Sequence, residues 1–123
     1  MKPGPQPKAR ILIVEDEPMI ALDLEDMLAD ADFEIAGVVS TLEAALRFIE
    51  NHAFDAAILD ANLGGASTAP AAAALAARSL PYVVLSGYSS AQHPVALREA
   101  VLLTKPVDPV LVIQALRDLL PVE

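Results

Sequence analysis

Short apolar runs alternate with longer stretches in which apolar residues recur every three or four positions. The first run, "RILIV" at 10–14, stops abruptly at "EDE". A helix is predicted from Pro18, a residue suited to a first helical turn because its missing N–H is one the helix leaves unpaired. Ile20, Leu24, Met27, Leu28 and Ala31 then fall on one face, with Asp23, Asp26 and Asp30 elsewhere. "FEIAGVVS" predicts a second strand. Ser40 with Glu43 reads as a capping box opening a helix in "TLEAALRFIENH", with Leu42, Ala45, Leu46 and Ile49 as its apolar stripe. Asp55–Leu59 predicts a third strand, buried on both faces, followed by a Gly- and Ala-rich loop. "TAPAAAALAARS" predicts a tightly packed alanine helix ended by Pro81, "YVVLS" a fourth strand, "SAQHPVALREA" a short helix and "VLLT" a fifth strand. Asp108 as N-cap and Pro109 as first helical residue start a last helix with Val112, Ile113, Leu116 and Leu120 inward.

Strands apolar throughout, alternating with helices, imply a parallel sheet covered on both faces. Right-handed crossovers then leave few topologies, and five such units suit a flavodoxin-like three-layer α/β/α sandwich with strand order 2-1-3-4-5. "MKPGPQPKA" reads as a disordered tail over 1–9, and residues 10–121 as one domain without internal repeats.

Composition narrows the partners. Apolar residues make up 54% of the 123-residue chain, enough to fold around one core. A formal net charge of -9 argues against nucleic acid, whose affinity comes largely from Lys and Arg on phosphates. Lys2, Lys8 and Arg10 cluster at the start, and Arg47, Arg78, Arg98 and Arg117 are scattered, so Lys105 is the only lysine after residue 8. Cysteine is absent, no run approaches the roughly 20 apolar residues of a membrane span, and no signal peptide is recognised. A cytoplasmic location is the expectation.

In open α/β sheets, ligands bind at the carboxyl ends of the strands. Here the first strand ends in Glu15 and Asp16, the third in Asp60, the fourth in Ser86 and the fifth in Lys105. Two carboxylates about 4 Å apart repel by roughly 4 kcal/mol at an effective dielectric near 20. Three converging acids therefore need a counter-charge or must hold a proton. A hard divalent cation with oxygen ligands, magnesium above all, meets that need, and with Lys105 it brings the charge to zero. Such a site suits an anionic phosphoryl group.

The ordered set "ILIVEDEP", "AAILDANLGG", "VVLSGY" and "LLTKPVDP" closely resembles the receiver (REC) domain of bacterial two-component response regulators, from about Arg10 to Leu120. The resemblance implies that Glu15 and Asp16 hold magnesium and that Asp60 is the phosphoacceptor. It implies that Asn62 offers its backbone carbonyl to the metal, and that Ser86 and the Gly87 amide bond phosphoryl oxygens. Lys105 would pair with the phosphoryl group, with a cis Lys105–Pro106 bond as in many relatives. The partners implied are a sensor histidine kinase or phosphotransfer protein and a downstream protein, with a homodimer through the fourth helix, fifth strand and fifth helix as one option. "VLSGY" and "LGG" resemble single-domain receivers linked to HWE-type sensor kinases.

Two positions depart from the family pattern. Leu102 replaces the usual switch aromatic three residues before the lysine, with Tyr88 as a substitute or a cover for the pocket edge, and Val107 replaces the aromatic after "KP". The expected function is a stand-alone phosphoacceptor rather than an enzyme. The alternatives are a phosphorylation-independent adaptor with the same fold, or a receiver cut from a hybrid histidine kinase. An aspartyl-phosphate phosphatase fits poorly, because Ala61 and Asn62 follow Asp60 where a second aspartate is expected two residues on. His52 and His93 read as structural surface residues, and Val95, Val107, Leu111 and Leu119 as core or an exposed partner face.

Overall fold

The computed structural model describes residues 8–87 and 101–120. Tyr88, His93, Val95 and the helix predicted in "SAQHPVALREA" lie outside the described residues, as do residues 1–7 of the predicted tail. The strands are β1 (Arg10–Val14), β2 (Glu34–Val39), β3 (Ala56–Asp60), β4 (Asn62–Leu63), β5 (Ala66–Ser67), β6 (Tyr82–Ser86) and β7 (Val101–Thr104). The helices are α1 (Pro18–Asp30), α2 (Leu42–Asn51), α3 (Ala69–Ala77) and α4 (Pro109–Leu119). Five strands form one parallel sheet in the order β2-β1-β3-β6-β7, the flavodoxin-like order expected with β6 and β7 as fourth and fifth long strands. No helix among the described residues is long and apolar enough to cross a membrane.

Strand alternation divides the core into two layers. Leu12, Val14, Ala57, Leu59 and Val84 point to the face covered by α2 and α3. Ile11, Ile13, Ala56, Ile58, Val83 and Leu85 point to the face covered by α1 and α4. Both faces are sealed, so the strands read as continuous apolar runs rather than alternating ones. The alanines of α3 let that helix lie close: Ala71, Ala72 and Leu75 are fully buried. Val107 and Leu119 pack against the α1–α4 layer, whereas Leu111 is 48% exposed.

Three local expectations are corrected. The cap of α2 is Thr41, not Ser40, and its hydroxyl accepts from Ala44 N–H at 3.1 Å. The capping box with Glu43 is therefore displaced by a simple cap one residue later, because Ser40 follows directly on β2. The third strand starts at Ala56 rather than Asp55 and ends in Asp60 as expected. The segment read as a loop holds an antiparallel ladder, β4 with β5, turned by Gly64 and Gly65 at φ of 55° and 91°. His52 follows α2 and stacks on Phe48 with ring centroids 4.1 Å apart, a structural role as expected.

Gly37 sits where β1–β2 pairing slips, Ile11 facing Ile35 and Leu12 facing Gly37. A Cβ there would lie 2.6 Å from the Phe48 ring, which is held by His52 and Phe54. Gly37→Ala, normally favourable in a strand, is expected to destabilise the fold by about 1–3 kcal/mol in urea denaturation. In a Phe48→Ala background the same change should be neutral or stabilising, because the clash is gone.

Candidate functional site

Each site residue is delivered by the end of a strand. β1 stops at Val14, and Glu15 adds one more bond to the β1–β2 ladder, its N–H donating to the Val39 carbonyl at 3.0 Å. Glu15 is therefore still held in the sheet, only 2% exposed, with Asp16 more open beside it. Asp60 closes β3 and is 7% exposed. Ser86 closes β6 and is likewise buried, and its carbonyl accepts from Lys105 N–H at 2.7 Å. That bond locks the end of β7 against β6, and the Lys105–Pro106 bond is cis.

Glu15, Asp16 and Asp60 each bring one carboxylate oxygen within 4.8 Å of the others. Lys105 Nζ lies 3.2 Å from Asp60 Oδ2 and 3.5 Å from Glu15 Oε1. One ammonium is too little for three acids in a confined space. Among the described residues, Glu15 Oε1 is the buried side-chain oxygen without a hydrogen-bond partner. Burial first, and then the Asp60 carboxyl beside it, push the Glu15 carboxyl up to about 7. Burial acts to lower Lys105, but the charges of Asp60 and Glu15 outweigh it and raise the ammonium above its usual range.

The donor set is all oxygen, anionic and incompletely satisfied, which fits a small hard dication such as magnesium. The β4–β5 hairpin borders it. Asn62 N–H donates to Asp60 Oδ1 at 3.2 Å, Gly64 N–H to Asp16 Oδ2 at 3.0 Å, and Gly65 N–H to Asn62 Oδ1 at 2.8 Å. Two of the three acids are thus oriented by backbone amides of one turn. Gly87 is exposed with open space around its α-carbon, which leaves room above the site. Leu102 is partly buried against the α2–α3 layer, opposite Val84 in the β6–β7 ladder.

Two features were not read from the sequence. Gly64 looks like loop by composition, although a glycine pair after an acidic strand end hints at a turn with positive φ. Thr68 was read as the start of α3, yet it is fully buried and its hydroxyl donates to the Asp60 carbonyl at 2.8 Å. An apolar groove of about 590 Å³ opens beside Lys105, between α1 and the start of α4, lined by Ile20, Leu24, Met27, Pro106, Val107 and Val112 among others.

The comparisons with known proteins agree with this geometry. Residues 11–117 match the response regulator receiver domain. The chain is 35% identical over 81 residues to the Transcriptional regulatory protein PdtaR of Mycobacterium tuberculosis, a match covering 65% of this chain and 40% of that protein. The matched stretch is thus under half the length of this curated relative. The solution structure of SdrG from Sphingomonas melonis Fr1 is 44% identical, with a TM-score of 0.79, over 91% of this chain and 96% of that one. The crystal structure of the response regulator PhyR from Brucella abortus is 28% identical, with a TM-score of 0.80, over 94% of this chain and 49% of that one. With the sheet order and the acid–lysine cluster at its strand ends, this match places the chain in the response regulator receiver domain family of two-component signalling.

Proposed function

We propose that this receiver takes one phosphoryl group onto Asp60 from a phosphohistidine of a sensor histidine kinase or phosphotransfer protein, and signals by protein contact in the cytoplasm. The observation that carries the reading is the position of Asp60. It is a strand-end carboxylate with one oxygen 3.2 Å from Lys105 Nζ and the other 3.2 Å from Asn62 N–H, next to two further acids. Glu15, Asp16, Asp60 and the Asn62 carbonyl would hold magnesium. When bound, the ion supplies charge neutralisation at the carboxylate and phosphoryl oxygens.

The Asp60 carboxylate attacks the phosphorus, a P–O bond forms, and the P–N bond to the donor imidazole breaks. Its electron pair stays on the imidazole nitrogen, leaving neutral histidine on the partner. Lys105 neutralises charge on the transferred group, and the Ser86 hydroxyl and Gly87 N–H bond its oxygens. Phosphoryl transfer asks little else of a protein than positioning and charge. The groove beside Lys105 supports docking of the donor protein there. "LGG" and "VLSGY" favour an HWE-type kinase as donor, and exposed Val101 and Leu111 support self-association through β7 and α4. The switch would run through Ser86 with Tyr88, because Leu102 has no ring to swing.

Acetyl phosphate with magnesium should add one phosphoryl group to the intact mass, and Asp60→Asn should add none. Chelating the metal should abolish the gain in the parent. A folded parent that gains no mass under these conditions favours the phosphorylation-independent adaptor instead.

Stability should report the crowded acids as well. Glu15 titrates near 7 in the folded chain and near 4.5 when unfolded, so between these values the native state holds the extra proton. Metal-free stability should therefore fall as pH rises from 5 toward 8, by about 2 kcal/mol from this group. Lys105 contributes nothing to that slope, since its raised value lies far above the window. Urea melts in chelator should show the slope in the parent and a flatter one in Glu15→Gln. Magnesium should restore the loss in the parent alone.

A further inference from the structure

Among the described residues four polar or charged side chains are buried: Glu15, Asp60, Ser86 and Thr68. The first three stand at the strand ends of the site. Thr68 comes eight residues after Asp60, just past the β4–β5 ladder, and is 0% exposed. It occupies the N-cap position of α3, where a threonine hydroxyl ordinarily accepts a backbone N–H of the first turn. Here it makes no such cap. Ser67 Oγ instead accepts from Ala69 N–H at 3.1 Å. The Thr68 hydroxyl is turned inward and donates to the Asp60 carbonyl at 2.8 Å, while Thr68 N–H donates to the Ala61 carbonyl at 3.1 Å.

Sheet geometry explains why that carbonyl needs a donor. The last β1–β3 rung is Val14–Leu59, and the chain beyond Glu15 bends out of the sheet at Asp16. Asp60 lies one residue past the ladder, buried, and Thr68 stands where a strand neighbour would. We infer that Thr68 is a positioning residue: by pinning the Asp60–Ala61 peptide it sets the direction in which the Asp60 carboxylate leaves the strand. The same restraint places Asn62 N–H, which holds Asp60 Oδ1. Without the hydroxyl the buried carbonyl loses its partner, the peptide is held only through Ala61 N–H to the Leu85 carbonyl at 2.9 Å, and the carboxylate shifts relative to Lys105. The inference rests on Asp60 being the phosphoacceptor.

The test compares Thr68→Val, which replaces the hydroxyl by a methyl of similar size, with Thr68→Ser, which keeps the hydroxyl. Phosphorylation by acetyl phosphate is followed by intact mass at saturating magnesium, and magnesium affinity is titrated separately. Misplacing a reacting atom by about 1 Å costs on the order of a hundredfold, so partial relaxation in Thr68→Val should lower the maximal rate constant about tenfold. Half-saturating magnesium should rise about threefold or more in Thr68→Val, because Asp60 and the Asn62 carbonyl are among the proposed metal ligands, and Thr68→Ser should recover most of the rate, because it keeps the hydroxyl donor. A folded Thr68→Val chain that phosphorylates at the parental rate overturns the inference. So does a Thr68→Ser chain as slow as Thr68→Val, since the methyl rather than the hydroxyl would then matter. Should Thr68→Val not fold, the hydroxyl proton of Thr68 in the parent decides by NMR: a resolved, slowly exchanging resonance supports the bond and a solvent-averaged one overturns it. An unlabelled parent removes the functional reading itself, whereas a labelled parent with an equally fast Thr68→Val removes only this inference.

Discussion

Like charge held in too small a space governs this domain. Among the described residues three carboxylates meet within 4.8 Å, and a single ammonium, that of Lys105, answers them. Repulsion between two such charges is about 4 kcal/mol at an effective dielectric near 20, so the third cannot be accommodated without a proton or a cation. The imbalance is visible in Glu15, whose buried Oε1 has no hydrogen-bond partner and only Lys105 at 3.5 Å, and whose carboxyl is displaced to about 7. A pocket in this condition fits a hard dication, and the proposed magnesium would offset the charge of the proposed phosphoryl group.

The sheet is what keeps those acids from spreading apart. β1, β3 and β6 lie side by side at its centre, each with both faces covered by apolar side chains. Their side chains alternate between two sealed layers, and only the strand ends reach a polar environment. The turns that follow are tied back in sequence: Glu15 to Val39, Lys105 to Ser86, and the β4–β5 hairpin to Asp16 and Asp60. The charges therefore sit on a rigid edge, and the cost of their proximity is carried by the packing behind them.

Much of this was legible along the chain because burial imposes period. Unbroken apolar runs marked the strands, three-to-four spacing marked α1, α2 and α4, and the acids and Lys105 stood where each run stopped. What escaped was set by single hydrogen bonds. Ser40 and Thr41 carry the same hydroxyl, and only the path of the backbone out of β2 decides that Thr41 caps α2. The residues between Asp60 and α3 look like loop by composition, yet they pair as a hairpin whose Asn62 and Gly64 amides donate to Asp60, two residues earlier, and to Asp16, just after β1. Thr68 resembles an ordinary cap. Its inward hydroxyl follows from Asp60 lying past the end of the β1 ladder, a relation between distant segments that no local pattern records.

The central claim is that this crowded edge turns Asp60, and no other carboxylate, into the acceptor. Borohydride reduction of the acetyl-phosphate-treated, magnesium-loaded chain, followed by peptide mass mapping, tests it most directly, since an aspartyl phosphate is reduced to homoserine. The account predicts homoserine at position 60 and unmodified acids at positions 15 and 16. Homoserine at position 16, 5-hydroxynorvaline at position 15, or neither alcohol at any of the three in a phosphorylated chain would contradict it.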